Sequence, residues 1–143
     1  MASQSSNKIK HSIATKLIDF AADTFKIALM APGFTFSRST HDAYADVSAS
    51  ELANLYGYTT GGATLAGVAV TRDDVLNALI ISWSNPTWTA SGGSIETCGA
   101  IIYDTTVANT IVGFIDFGEN LLTIDGGVFT ITNVAVAIKD IDA

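Results

Sequence analysis

The sequence predicts an all-β fold, an antiparallel β-sandwich with a short N-terminal arm or helix. Three observations carry that expectation. The stretch from Val75 to Phe117 contains VLNALIIS, IETCGAIIY and TIVGFIDF, runs dominated by Ile, Val and aromatic residues of the kind that suit a pleated, covered surface. Gly, Pro, Asn and Asp separate these runs. Only two short segments compete for helix, so the crossover helices of a parallel sheet are missing and an antiparallel sandwich, in its finer form jelly-roll-like, is expected. The domain reading is residues 1–22 as an N-terminal arm and residues 23–143 as a single β-sandwich domain.

Met1 to Asn7 is small and polar and is expected to be mobile. Ile9, Ile13, Leu17 and Phe20 then recur at helical spacing, which suits a short amphipathic helix over about Ser12 to Ala22 with Ser12 as its N-cap. An extended arm laid on another subunit is the alternative. Thr24 to Met30 alternates with Phe25, Ile27 and Leu29 on one face, and Pro32-Gly33 stops it. Phe34 to Gly62 is a long irregular region with scattered aromatics and one possible helical turn at Glu51 to Asn54. Thr64 to Thr71 reads as a strand with a bulge at Gly67, and Arg72-Asp73-Asp74 as the turn into a strand over Val75 to Ser82. Ser84-Asn85-Pro86 breaks the chain before a return to β character at Thr87 to Thr89. Ile95 to Tyr103 and Thr110 to Phe117 follow, then a connection, GENLLTIDGG. Val128 to Ile138 reads as one long final strand bent at Asn133, with KDIDA as a tail.

A length of 143 residues fits one domain and one core. Hydrophobic residues make up 48% of the chain, and no run approaches the roughly 20 apolar residues of a membrane span. Extensive β burial together with a subunit interface accounts for that richness. Net charge is −7, unevenly spread. Up to Lys26 four lysines face Asp19 and Asp23, a balance of +2, whereas the remainder carries three basic against twelve acidic residues, −9. A basic beginning can dock on an acidic neighbouring subunit, while nucleic acid would be repelled by the body. Cys98 is the single cysteine, so no internal disulfide forms, and its place in an apolar run suits a small hydrophobe. The start lacks a signal peptide's apolar core, which implies synthesis in the cytoplasm.

The chemistry-bearing residues are sparse. His11 and His41 stand apart from each other and from Cys98, without the spacing of a zinc site. The pairs Asp73 with Asp74 and Asp116 with Glu119 supply too few oxygens for a hard cation. Three double glycines, at Gly61, Gly92 and Gly126, lack the lysine and helix of a phosphate loop. No catalytic residue, metal or cofactor is expected. Contact residues are: Ile9, Ile13, Leu17 and Phe20 on the N-terminal segment, Tyr44, Tyr56 and Tyr58 in the irregular region, and Trp88. Tyr56 and Tyr58 equally suit sealing the loop on the sandwich, and Trp83 and Trp88 suit either packing or a sugar platform.

Five segments in order, DTFKIALM, ELANLYGYTTGGATLAG, WTASGGSI, GAIIYDTT and VGFIDFG, resemble a family of small structural proteins encoded by tailed bacteriophages. The resemblance covers about Asp23 to Ile138. It implies a virion component, most directly a capsid decoration or cement protein on the head surface, made in the host cytoplasm and partnered by the major capsid protein or other virion subunits. A homo-oligomer, such as a trimer, would suit a head lattice. Tail or head-fibre attachment, or a receptor- or carbohydrate-binding module, is the other role that the resemblance allows. It implies fold or contact roles for Tyr56, Tyr58, Gly61, Gly62, Trp88, Gly92 and Gly93. Leu55 departs from the family pattern, in which glycine often stands before the first tyrosine, and this puts a left-handed backbone at that position in question.

Overall fold

Strand alternation sends two sets of apolar side chains to opposite faces of one central sheet, and both faces are covered. The structure is a computed structural model that describes residues 2–139. Its strands are β1 (Ala2–Ser5), β2 (Phe25–Met30), β3 (Ala63–Thr64), β4 (Ala69–Asp73), β5 (Ala78–Ser82), β6 (Thr87–Thr89), β7 (Ile95–Asp104), β8 (Thr110–Thr123), β9 (Val128–Thr130) and β10 (Ala135–Lys139), with one helix, α1 (Asn7–Ala14). The central sheet has the order β1-β8-β7-β2-β3, with a three-stranded sheet β10-β5-β4 and a two-stranded sheet β6-β9 beside it. Every pairing is antiparallel. The all-β class with a short N-terminal helix is as expected. A jelly roll pairs two four-stranded sheets, and the described strands are grouped otherwise.

On one face of the central sheet Ile27, Leu29, Ile102, Val112 and Ile115 pack with Ile81 and Val136 of the three-stranded sheet and Trp88 and Phe129 of the two-stranded one. On the other face Ala28, Met30, Ile101, Ile111 and Phe114 are covered by Phe34, Phe36, Tyr44 and Val47. The long irregular region is thus the lid of a second core, which explains its scattered aromatics. A register shift after the Ile102 to Gly113 pair leaves Val112 without an opposite residue in β7. That bulge keeps Val112 and Ile115 in one core and Ile111 and Phe114 in the other.

The N-terminal segment is built into this body and is not a separate arm. Ala2–Ser5 pairs along β8 from Asp116 to Gly113, where the sequence suggested mobile chain. The helix starts at Asn7, not at Ser12, because the Ser6 hydroxyl accepts from the Ile9 N–H at 3.0 Å and donates to the Ile111 carbonyl at 2.6 Å. Eight residues make a marginal helix alone. Ile9 is fully buried, and its burial contributes about 1.5–3 kcal/mol. Arg38 Nε donates to the Ser5 carbonyl at 3.0 Å and fixes the same segment from the irregular region.

Four strand boundaries differ from the sequence reading, each for a backbone reason. Gly67, at φ +66, separates β3 from β4 instead of bulging one strand. Arg72 and Asp73 belong to β4, and the hairpin turns instead through Asp74 to Asn77, with Asn77 at φ +50 and the Val75 and Leu76 N–H groups donating to Asp73 Oδ1. Strand β8 runs on to Thr123 past a loop-like irregularity at Gly118, φ +79. The bend at Asn133, φ +55, divides the final run into β9 and β10, which join different sheets. Most of the KDIDA tail, residues 140–143, lies outside the described residues.

Where β7 ends, Asp104 is fully buried opposite Phe25, next but one to Asp23. Its Oδ1 accepts from the N–H groups of Thr106 and Val107 at 2.8 and 3.2 Å, and its Oδ2 has no donor but the Asp23 carboxyl. Burial and that carboxyl neighbour push the Asp104 acid up to about 6. Between about pH 4 and 6 the folded chain then holds more protons than the unfolded one, so stability falls as pH rises through this window. Asp104→Asn keeps the Oδ1 acceptor and supplies an N–H to Asp23. The variant is expected to lose that slope and to exceed the parent at pH 7 by on the order of 1–2 kcal/mol in urea unfolding. A parallel slope in both proteins would contradict the raised Asp104 acid.

Candidate contact surface

The surface of interest lies where β2 ends and β7 begins, and a carboxylate builds it. Glu51 follows two 3-10 turns, Tyr44–Asp46 and Ser48–Ser50, and bridges to Met30 at the end of β2. Strand β3 covers only Lys26 and Ile27 of the β2 edge. Beyond it, the Leu52 N–H donates to the Leu29 carbonyl at 3.0 Å and the Leu29 N–H donates to the Tyr58 hydroxyl at 3.0 Å. An otherwise open sheet edge is closed by this loop. The Glu51 carboxylate accepts from the Tyr44 and Tyr58 hydroxyls and from the Gly61 N–H at 2.7 Å, while Tyr103 donates to the Gly61 carbonyl at 2.7 Å. Burial first, then the Glu51 charge, pushes the Tyr103 phenol up to about 12. Tyr44 and Tyr58 are raised further, by burial and by donating to Glu51, so all three remain hydrogen-bond donors through neutral pH.

The clasp presents Leu55 and Tyr56. Tyr56 and Gly57 both adopt left-handed backbone, φ +57 and +89, so the left-handed turn falls one residue after Leu55. The Ser91 N–H donates to the Tyr56 carbonyl at 3.1 Å. A Cβ on Gly93 would stand 2.4 Å from the Tyr56 ring, so the ring lies directly on that glycine's backbone. The neighbouring Gly92 N–H donates to Asp125 Oδ1 at 2.9 Å, and Ala90 exchanges two backbone bonds with Gly126 and Gly127. Three turns are tied into one rigid end. Leu55, Tyr56, Leu122, Ile124 and Val128 are exposed there, Ile124 to 68% and Tyr56 to 46%. Leu122 stands directly opposite Glu96 in the β7–β8 ladder. A cleft of about 240 Å³ opens between Pro32, Leu52, Leu55, Tyr56, Tyr58 and Ile95, with Ser94 and Glu96 as its polar lining.

The residues expected at contacts fare unequally. Tyr56 is displayed and Leu17 is 52% exposed. Ile9, Tyr58 and Trp88 are buried within the chain and are corrected from contact to core residues. Ile9 anchors α1, Tyr58 bonds Glu51 and Leu29, and Trp88 packs between Tyr58 and Phe129 at ring separations of 6.3 and 6.0 Å. Trp83 is buried against Phe25, so neither tryptophan offers a sugar platform. Ile13 is partly buried on the core, Phe20 stacks on Phe25 at 5.4 Å, and Tyr44 stacks on Tyr103 at 4.6 Å. Cys98 is half-buried, its thiol donating to the Ala31 carbonyl at 3.1 Å.

Sequence reasoning missed Glu51, Glu96, Leu122, Ile124 and Val128. The adjacent Leu121 and Leu122, with Ile124 before the double glycine, were the available signal, because apolar residues beside a tight turn are hard to bury. Among the described residues no three His, Cys, Asp or Glu side chains gather to hold a metal, and no helix is long and apolar enough to cross a membrane. What the surface can do chemically is exclude water with a fixed aromatic ring and pair one carboxylate.

Comparison with known proteins returned no match to a family model, a curated protein or a solved structure.

Proposed function

We propose that this chain is a non-enzymatic virion structural protein, a capsid decoration or cement protein that binds the outer head shell and stabilises it through oligomeric contacts. The observation that carries the contact role is the rigid end where Leu55, Tyr56, Leu122 and Ile124 stand exposed on mutually bonded turns. Apolar anchors held by backbone bonds lose little entropy on docking, which suits a surface that must bind at many equivalent positions. The bacteriophage resemblance supplies the virion setting. Tyr56→Ser should leave thermal unfolding within a few degrees of the parent, because the ring is half exposed, yet weaken binding to particles lacking the protein by about tenfold or more in co-sedimentation. Undiminished binding by a folded variant would refute the contact role of this end.

A receptor- or carbohydrate-binding module is the second reading, favoured by the Tyr56 ring lying beside Ser94 and Glu96 in a concave site. Glycan-dependent shifts of the Tyr56 ring resonances in the isolated chain would support it over particle binding.

A further inference from the structure

We infer that the partner seated in this cleft is a second copy of the chain, which inserts Leu17 between Leu55 and Tyr56 and sets Lys16 against Glu96. The inference rests on the reading of this end as a contact surface and names its occupant. Charge and position select the segment. The cleft is apolar with a single carboxylate, Glu96, so it favours an apolar side chain with a cation next to it. Of the exposed large hydrophobic residues outside the cleft, Val75 and Leu76 sit on the turn beside Asp73 and Asp74, and Val70 shares a strand with an Arg72 that Asp74 already pairs at 2.8 Å. Ile124 precedes Asp125, Leu122 faces Glu96, and Val128 has no basic residue among its sequence neighbours. None of these brings an unpaired cation to the carboxylate. Leu17 follows exposed Lys16 on the segment that also carries Lys8 and Lys10, and the nearest carboxylate in sequence, Asp19, is engaged by the Ala21 and Ala22 N–H groups at 2.9 and 3.3 Å.

The geometry forbids the contact within one chain. Leu17 lies by the start of β2, where Phe20 stacks on Phe25, whereas Pro32 brings the cleft to its far end. Six strand residues separate these ends by roughly 20 Å. A donor site at one end and an acceptor site at the other make a head-to-tail contact, which closes into a ring or continues as a row.

Sedimentation velocity of the full chain over a concentration series tests this with Lys16→Glu, Glu96→Lys, the double reversal and Leu17→Ser. The parent should associate. Each single reversal should weaken association about fivefold to tenfold by opposing like charges, and the double reversal should restore it. Leu17→Ser should weaken it by a similar factor with an unchanged circular dichroism spectrum. A parent that stays monomeric, or association that both single reversals leave intact, would overturn the inference. A monomeric parent that still binds particles through Tyr56 would overturn it while leaving the contact surface standing.

Discussion

Replacing Gly62 with alanine is expected to lower folding stability by about 4 kcal/mol or more, enough to unfold much of the population near 37 °C. Gly62 has φ +80, and a Cβ there would stand 1.8 Å from the Ile27 carbonyl oxygen and 2.6 Å from its carbon. Those atoms are backbone of β2, so the clash cannot be relieved by a side-chain rotation. Gly126 is the control: it has φ +83 with nothing within 4 Å of an added Cβ. Gly126→Ala should therefore show only the backbone term, about 1–2 kcal/mol. Equal losses in the two variants, measured by urea unfolding, would show that φ alone matters and that the approach of Gly62 to β2 does not.

Removing the Glu51 carboxylate is the second large effect. Glu51→Ala leaves the Tyr44 and Tyr58 hydroxyls and the Gly61 N–H without their acceptor in a half-buried setting, and a loss of about 3 kcal/mol is expected. Glu51→Gln retains one acceptor oxygen and should fall between Ala and the parent. The loop should also become the first site of proteolysis, because it closes the β2 edge through the same residues. A change below about 0.5 kcal/mol in Glu51→Ala would mean that apolar packing of Leu52 and Val47 holds the loop without the clasp.

These two positions also mark how far the fold could be read in advance. Period-two alternation in TFKIALM and the apolar run IETCGAIIY located β2 and β7, and the Pro and Gly breaks located their ends, because those signals are local. The double-faced burial of the central sheet was not local. Ile111 and Phe114 share a core only because Val112 bulges, and that depends on the register against β7. Ser6 and Ser12 both precede helix-compatible residues, and the choice fell to Ser6 through a bond to Ile111, 105 residues away. Tyr56 and Tyr58 read alike in the sequence, and the structure separates them: Tyr56 is exposed, whereas Tyr58, two positions on, is buried with its hydroxyl bonded to Glu51 and Leu29. Ile124 escaped because the double glycine after it read as a connection, and nothing in its neighbours says whether a turn residue is covered.

The β4–β5 hairpin and the Tyr56 end make different demands on a partner. Val75 at the hairpin tip is 90% exposed, but the turn that carries it is held by two bonds to Asp73 and an exposed Arg72–Asp74 ion pair. The Tyr56 end is tied by backbone bonds between three separate turns, so it is the better preorganised surface.

The central claim is that the Tyr56 end is a subunit contact within a virion shell. Cryo-electron microscopy of purified particles carrying this protein tests it most directly. The account predicts regular copies over the head, with Leu55, Tyr56 and Ile124 buried against a neighbouring subunit. Copies confined to the tail tip, or head copies with that end facing solvent, would contradict it.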